Sequence, residues 1–301
     1  MQDGARARLE RARARERERD SETARESEHV FFIFKQNVVR RPPQRSVYRG
    51  STTTTRGALA KSAVSMSAPQ QHPLRGEYKG RVTGTVVMSA GRLADIGLQY
   101  YLLHNGGQAA AAVLGVPATL SLEYTRALMG MVTVASLRHV YWATVTNGND
   151  LPPGMAASIA VFNALFNSVV SFTAVWMGGQ STDSVTLWSG LALFAGGILF
   201  EVVSEEQRRA FKNDPKNKGK PFTKGLNSIV QHPNYFGYTV WRSGLLLATG
   251  SYVATAIGTL FNLGTFVFNS VPELQAHNIK KYGAEYKQYT LRTSKLIPFL
   301  Y

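Results

Sequence analysis

The sequence predicts an all-α membrane protein: a polytopic helix bundle of six or seven transmembrane helices behind a disordered N-terminal leader. Three observations predict it. Long apolar blocks recur from Val86 onward, each near the ~20 residues that cross a ~30 Å hydrocarbon core. Charge is scarce in that region: residues 66–301 hold 19 Lys/Arg and 11 Asp/Glu, whereas residues 1–65 alone hold 15 and 8. Basic clusters fall between the blocks, as the positive-inside bias requires of cytosolic loops. So low a charged fraction in 66–301 excludes an ordinary cytosolic globular enzyme, where about 25% is usual. A chain without cysteine also excludes a disulfide scaffold and Cys-ligated zinc or iron–sulfur chemistry.

Residues 1–65 read as a disordered basic leader or transit-like segment. Arg alternates with Glu and Ala from Arg11 to Asp20, a composition that cannot build a core. No Asp or Glu occurs in residues 29–76, while Arg40, Arg41, Arg45, Arg49, Arg56 and Lys61 sit among Ser and Thr. Organelle transit segments share that composition. A disordered tail, or a leader joined ahead of the start-like Met66-Ser-Ala-Pro, fits the same residues.

Residues 66–200 hold the N-terminal transmembrane helices, with spans expected near 86–104, 126–146, 155–178 and 185–203. Gly106 to Leu122 is rich in Ala, short and interrupted by Pro117, so it lies flat, re-enters or adds a seventh span. Residues 201–301 form the C-terminal region. Its apolar block from Tyr235 to Val271 is too long for one crossing, and Gly250-Ser251 divides it into a helical hairpin. Arg208, Arg209, Lys212, Lys216, Lys218, Lys220 and Lys224 stand against Asp214 alone, and Lys280, Lys281, Lys287, Arg292 and Lys295 follow the hairpin. With Arg75, Lys79 and Arg81 ahead of the first span, all three clusters belong on the cytosolic face, which favours an even count of six. Located this way, the formal charge of +15 speaks for anionic headgroups or a phosphate-bearing cofactor. Membrane lipids are the expected partners; nucleic acid and metal are not.

The densest polar cluster runs from Gly225 through His232-Pro-Asn-Tyr-Phe-Gly237, where the basic loop meets an apolar helix. Pro233 presets the first helical φ, and backbone amides at such a start are ready anion donors. An interfacial cap with ordinary aromatic anchors explains the same residues equally well. His232-Pro-Asn-Tyr-Phe-Gly237, with the closing run from Lys281-Tyr-Gly-Ala-Glu-Tyr to Leu296-Ile-Pro-Phe-Leu-Tyr301, resembles the steroid 5α-reductase C-terminal family and its broad membrane branch. The isoprenylcysteine methyltransferases are distant relatives of that family. The resemblance spans about Glu201 to Tyr301.

The resemblance implies a helical membrane reductase binding NADPH from the cytosolic side. Asn234 and Tyr235 match the family's cofactor-contacting pair, and Tyr282 falls at its cofactor-contacting tyrosine. Glu205, Arg209 and Lys212 fall where the reductases place an acid and two arginines near the adenosine phosphates, with Lys212 replacing one arginine. His277 lies one position from a family histidine. Tyr238 stands where the family usually carries a Glu that orients the cofactor amide, and a phenol supplies part of that hydrogen bonding.

Reducing an enone also needs a proton donor at the carbonyl. Tyr100, Tyr101, Tyr124 and His139 are the candidates. Arg138 lies beside His139 deep in the second span, where ionisable groups are costly and functional. Arg92 and Asp95, three apart, are spaced to pair on one helix face. The expected activity is reduction of a C=C bond in a small apolar lipid or steroid-like enone, in the endoplasmic reticulum or, with a real transit segment, another organelle membrane. An S-adenosylmethionine-dependent methyltransferase and a non-catalytic scaffold are the alternatives.

Overall fold

The computed structural model describes residues 81–116, 120–147, 151–179 and 184–301. The leader, the stretch from Arg75 to Lys79, and Pro117 lie outside these. Every regular element among the described residues is helical. The chain runs through α1 (Arg81–Tyr101), a π-helical turn (Leu102–Gly106) and α2 (Gly107–Val113). It continues through α3 (Leu122–Tyr141), α4 (Pro153–Trp176) and α5 (Val185–Asn213). The last helices are α6 (Pro233–Leu247), α7 (Tyr252–Thr265) and α8 (Val271–Arg292). Local chemistry sets several starts. Ser121 and Ser251 accept from the backbone amides of Tyr124 and Ala254 at 3.2 Å each, and Pro153 and Pro233 open α4 and α6.

Three helices are long and apolar enough to cross a membrane: Pro153–Trp176, Val185–Asn213 and Tyr252–Arg292, the last joining α7 to α8. The chain is therefore an integral membrane protein. The side-chain distribution argues the same way. On α4, Val161, Leu165, Val169, Phe172 and Trp176 form an outward stripe at helical spacing, while Asn163, Asn167 and Ser171 on the opposite face are buried. A soluble helix has the reverse arrangement; a lipid-facing one needs this one. The expected hairpin is present, since α6 and α7 are separated by a turn containing Gly250, at φ 84°. Gly106 onward extends the first helix instead of forming a separate span. At 15 residues, α6 is shorter than a full crossing. Crossings beyond the three rest on loop charge.

The closest helix pair is α5 with α6, and glycines make the approach possible. Gly190 and Gly197 on α5 meet Gly244 and Gly237 on α6. A Cβ on Gly244 would lie 2.5 Å from the Phe194 backbone nitrogen and 2.6 Å from the Gly190 carbonyl oxygen. Small residues at a repeating spacing let two backbones touch where no hydrophobic effect drives helices together. This contact fixes α6, and with it the His232–Gly237 segment, against α5.

Candidate functional site

A polar core lies where α1, α3, α4, α5 and α6 converge. Charges there are costly unless paired, and each has partners. Arg92 donates to Asp95 at 2.8 Å and to Ser136 at 2.9 Å. Asp95 also accepts from Gln99 at 2.8 Å and from Asn167 at 2.7 Å. Arg242 donates to Asn167 at 3.0 Å, to Asn163, and through Nε to the Tyr238 hydroxyl at 3.1 Å. Its guanidinium lies 4.3 Å from the centroid of Phe166 and 4.5 Å from that of Trp241. Tyr238 thus meets a cation with both its hydroxyl and its ring, whose centroid is 5.2 Å from Arg242.

A second cluster joins α3 to α5. Arg138 donates to Glu205 at 2.6 Å and Glu201 at 3.1 Å. Thr146 donates to Glu205 at 2.7 Å and the Trp241 indole to Glu201 at 2.6 Å. Two carboxylates therefore share one guanidinium, while Nε and Nη1 of Arg138 and Nε of Arg92 have no hydrogen-bond partner among the described residues. His139 sits between the clusters, edge-on to Trp241 at 5.9 Å and to Tyr238 at 6.3 Å.

At the opposite end of α6 the two sequence motifs meet. The backbone amides of Gln231 and His232 donate to the carbonyls of Ser294 and Lys295 at 2.8 and 3.1 Å. Val230 and Ser294 form a parallel bridge. The buried Gln231 amide donates to Thr293 at 2.5 Å and Thr290 at 3.3 Å, and its oxygen accepts from Gln275 at 2.9 Å. Tyr289 donates to the Asn227 carbonyl at 2.5 Å. The His-Pro-Asn-Tyr and Ile-Pro-Phe segments are distant in sequence but share one small structure. Within α8, Gly283 has φ 62° and ψ −132°, open to glycine and strained for other residues. The resulting break re-aims the chain directly after Tyr282.

The predicted residues divide between these places. Asn234 and Tyr235 lie in the first turn of α6, half-buried. Tyr235 stacks on Phe266 at 4.5 Å and on His232 at 5.5 Å. Tyr282 is half-buried on the C-terminal helix, 6.3 Å from Tyr286 and beneath the Lys281 ammonium. Arg209 is held by Glu206 at 3.0 Å, and Glu205 turns inward to Arg138. Lys212 is exposed, near Arg208 on its own helix and Lys281 on α8. Among the proton-donor candidates only His139 reaches the polar core. Tyr100 and Tyr101 are 55% and 57% exposed, and Tyr124 pins α3 to the end of α6 by donating to the Ala248 carbonyl at 3.1 Å.

Sequence reasoning missed Glu201, Trp241, Arg242, Asn163, Asn167 and Gln99. Two signals were available. Arg242 is the lone charge in the apolar block from Tyr235 to Val271, and Asn163, Asn167 and Ser171 recur at i, i+4 along an apolar helix.

Fold and site together define an integral membrane helical protein with a buried polar core and a clamped helix start. The family model described as "Protein of unknown function (DUF1295)" matches residues 141–293, and the chain belongs to that family. Over 104 residues it is 41% identical to "Probable O-methyltransferase ustE" of Ustilaginoidea virens, covering 35% of this chain and 37% of that protein. Over 78 residues it is 28% identical to "Protein-S-isoprenylcysteine O-methyltransferase" of Schizosaccharomyces pombe, covering 26% of this chain and 33% of that protein. The chain thus spans about a third of the length of the curated relatives it matches.

Proposed function

We propose that the chain is a membrane-embedded O-methyltransferase acting on a small apolar lipid-like acceptor with S-adenosylmethionine as donor. The observation that carries this reading is the 41% identity over 104 residues to a protein named as a probable O-methyltransferase. The residues at the start of α6 suit the donor. Asn234 both donates and accepts, and on α8 the ring of Tyr282, which carries the Lys281 ammonium on one face, has a second face that attracts a sulfonium as it would any cation. When bound, S-adenosylmethionine would supply the methyl group: the acceptor oxygen would bond to the methyl carbon as the carbon–sulfur bond breaks with its electron pair left on sulfur, and a hydroxyl acceptor's proton would pass to solvent while a carboxylate acceptor would carry none to lose. The contribution of this chain is to hold Asn234 and Tyr282 in place through the Gln231 clamp and to exclude water with the bundle.

A second reading, the NADPH-dependent reductase, is favoured by the gathering of Arg208, Lys212 and Lys281, which suits phosphates. Against it, Arg209 and Glu205 already have partners within the protein. Titrating the purified protein in detergent with each cofactor separates the two. Saturable binding of S-adenosylmethionine without NADPH is the expected outcome. NADPH binding without S-adenosylmethionine overturns the assignment, and binding of neither points to a scaffold. The endoplasmic reticulum is the proposed address.

A further inference from the structure

The last stretch of the sequence is presented outward in an unusual way. Leu291, Phe299 and Leu300 are 86%, 87% and 84% exposed, large apolar side chains with almost nothing of the described residues over them. A tight turn sets the last two there: Leu300 donates from its amide to the Ile297 carbonyl at 3.1 Å, and the Leu296 and Ile297 amides donate to the Tyr301 carbonyl at 2.6 and 2.8 Å. Inside this turn Phe299 has φ 63°, a left-handed conformation unfavourable for a bulky residue. Residues 286–301 contain no Asp or Glu, but they include Lys287, Arg292 and Lys295. The Lys295 ammonium lies 5.0 Å from the centroid of the Tyr301 ring.

The height of this segment is fixed by its pairing with the start of α6. The Ser294 and Lys295 carbonyls accept from Gln231 and His232, and α6 runs inward from there with Trp241, Arg242 and Leu245 fully buried. The exposed residues therefore stand at the level where the bundle begins, on the side of the Lys212–Lys224 loop.

We propose that residues 287–301 dock onto the interface of the membrane that holds the chain. Leu291, Phe299 and Leu300 enter the boundary of the acyl region, and Lys287, Arg292 and Lys295 engage anionic phospholipid headgroups. Charge complementarity selects the occupant: exposed apolar tips interleaved with cations and free of acids are the signature of an interfacial anchor on an anionic leaflet. The consequence reaches the site, because the same segment clamps Gln231 and His232, two residues before Asn234. Anionic lipid thereby steadies the start of α6.

The chain has no cysteine, so a single label is unambiguous. Leu300→Cys carrying an environment-sensitive nitrobenzoxadiazole dye is reconstituted into nanodiscs of phosphatidylcholine alone or mixed with phosphatidylserine, with Lys218→Cys in the exposed basic loop as the control. In the mixed lipid the Leu300 label should shift to the blue and be quenched by headgroup-level nitroxide lipids, while the control stays solvent-like. Each cation contributes about fivefold to the docked-to-free ratio. Pure phosphatidylcholine, or Gln at Lys287, Arg292 and Lys295 together, should therefore reverse most of the quenching. Solvent-like emission from Leu300→Cys in both lipids overturns the proposal. So does a blue shift that depends on protein concentration and resists lipid quenchers, which would assign the surface to a second protein molecule.

Discussion

Replacing Arg138 by Met strands two carboxylates. In the wild type Glu205 lies 2.6 Å and Glu201 3.1 Å from the same guanidinium, and both side chains are almost wholly removed from solvent. Met matches the volume of the Arg stem but supplies no donor. Thr146 and Trp241 are left as the only donors to Glu205 and Glu201 among the described residues. Removing one partner of a buried ion pair costs about 3–5 kcal/mol. At about 2–4 °C per kcal/mol for a domain of this size, the melting temperature should fall by roughly 6–20 °C. The assay is thermal unfolding in a fixed detergent, followed by intrinsic tryptophan fluorescence, since Trp241 bonds directly to Glu201. The triple variant Arg138→Met, Glu201→Gln, Glu205→Gln removes the uncompensated charge and should recover most of the loss. A melting temperature unchanged by Arg138→Met would refute the shared-carboxylate account. Failure of the triple variant to recover would show that packing, not charge, is what Arg138 supplies.

Three further outcomes follow from the geometry. Gly197→Val should destabilise by about 1–3 kcal/mol or more because its new side chain meets the Trp241 backbone. The adjacent Gly196→Val, where a Cβ meets nothing within 4 Å, should be tolerated; size-exclusion profiles of the two variants make the comparison. Gln231→Ala leaves the carbonyls of Thr290 and Thr293 without their donor, at about 1–3 kcal/mol, and should raise hydrogen exchange across residues 287–296 while leaving α4 protected. Asn234→Ala should weaken S-adenosylmethionine binding by about fivefold or more, while Lys212→Ala leaves it unchanged; loss of NADPH affinity on Lys212→Ala would instead favour the reductase.

How far the sequence reached depends on which forces were local. The all-helical class and the membrane reading were legible because apolar blocks and loop charge are properties of contiguous residues. The break at Gly250-Ser251 was legible for the same reason. Arg92 pairing with Asp95 followed from helical spacing alone. The rest depended on long-range packing. Nothing in the neighbourhood of Glu205 indicates that it faces Arg138, 67 residues away, instead of the cytosolic loop. Nor does Gln231 announce that it binds the carbonyls of Thr290 and Thr293. Both motifs that carried the family resemblance proved to lie together, yet of the residues that join them Gln231 and Gln275 were outside either signature, and Tyr289, inside the closing run, gave no sign of its bond to the Asn227 carbonyl. Arg242 went unremarked because periodicity arguments look for apolar stripes; its place as the lone charge of an apolar block marked it, but its pairing with Asn163, Asn167 and Tyr238 depends on long-range packing.

On the proposed reading, the start of α6 and the C-terminal helix receive S-adenosylmethionine. Cryo-electron-microscopy reconstructions of the protein in nanodiscs, with each cofactor in turn, test it most directly. Density of the size of S-adenosylmethionine is expected against Asn234 and Tyr282, and none at that place with NADPH. Dinucleotide density running from Lys212 to Asn234 would contradict it.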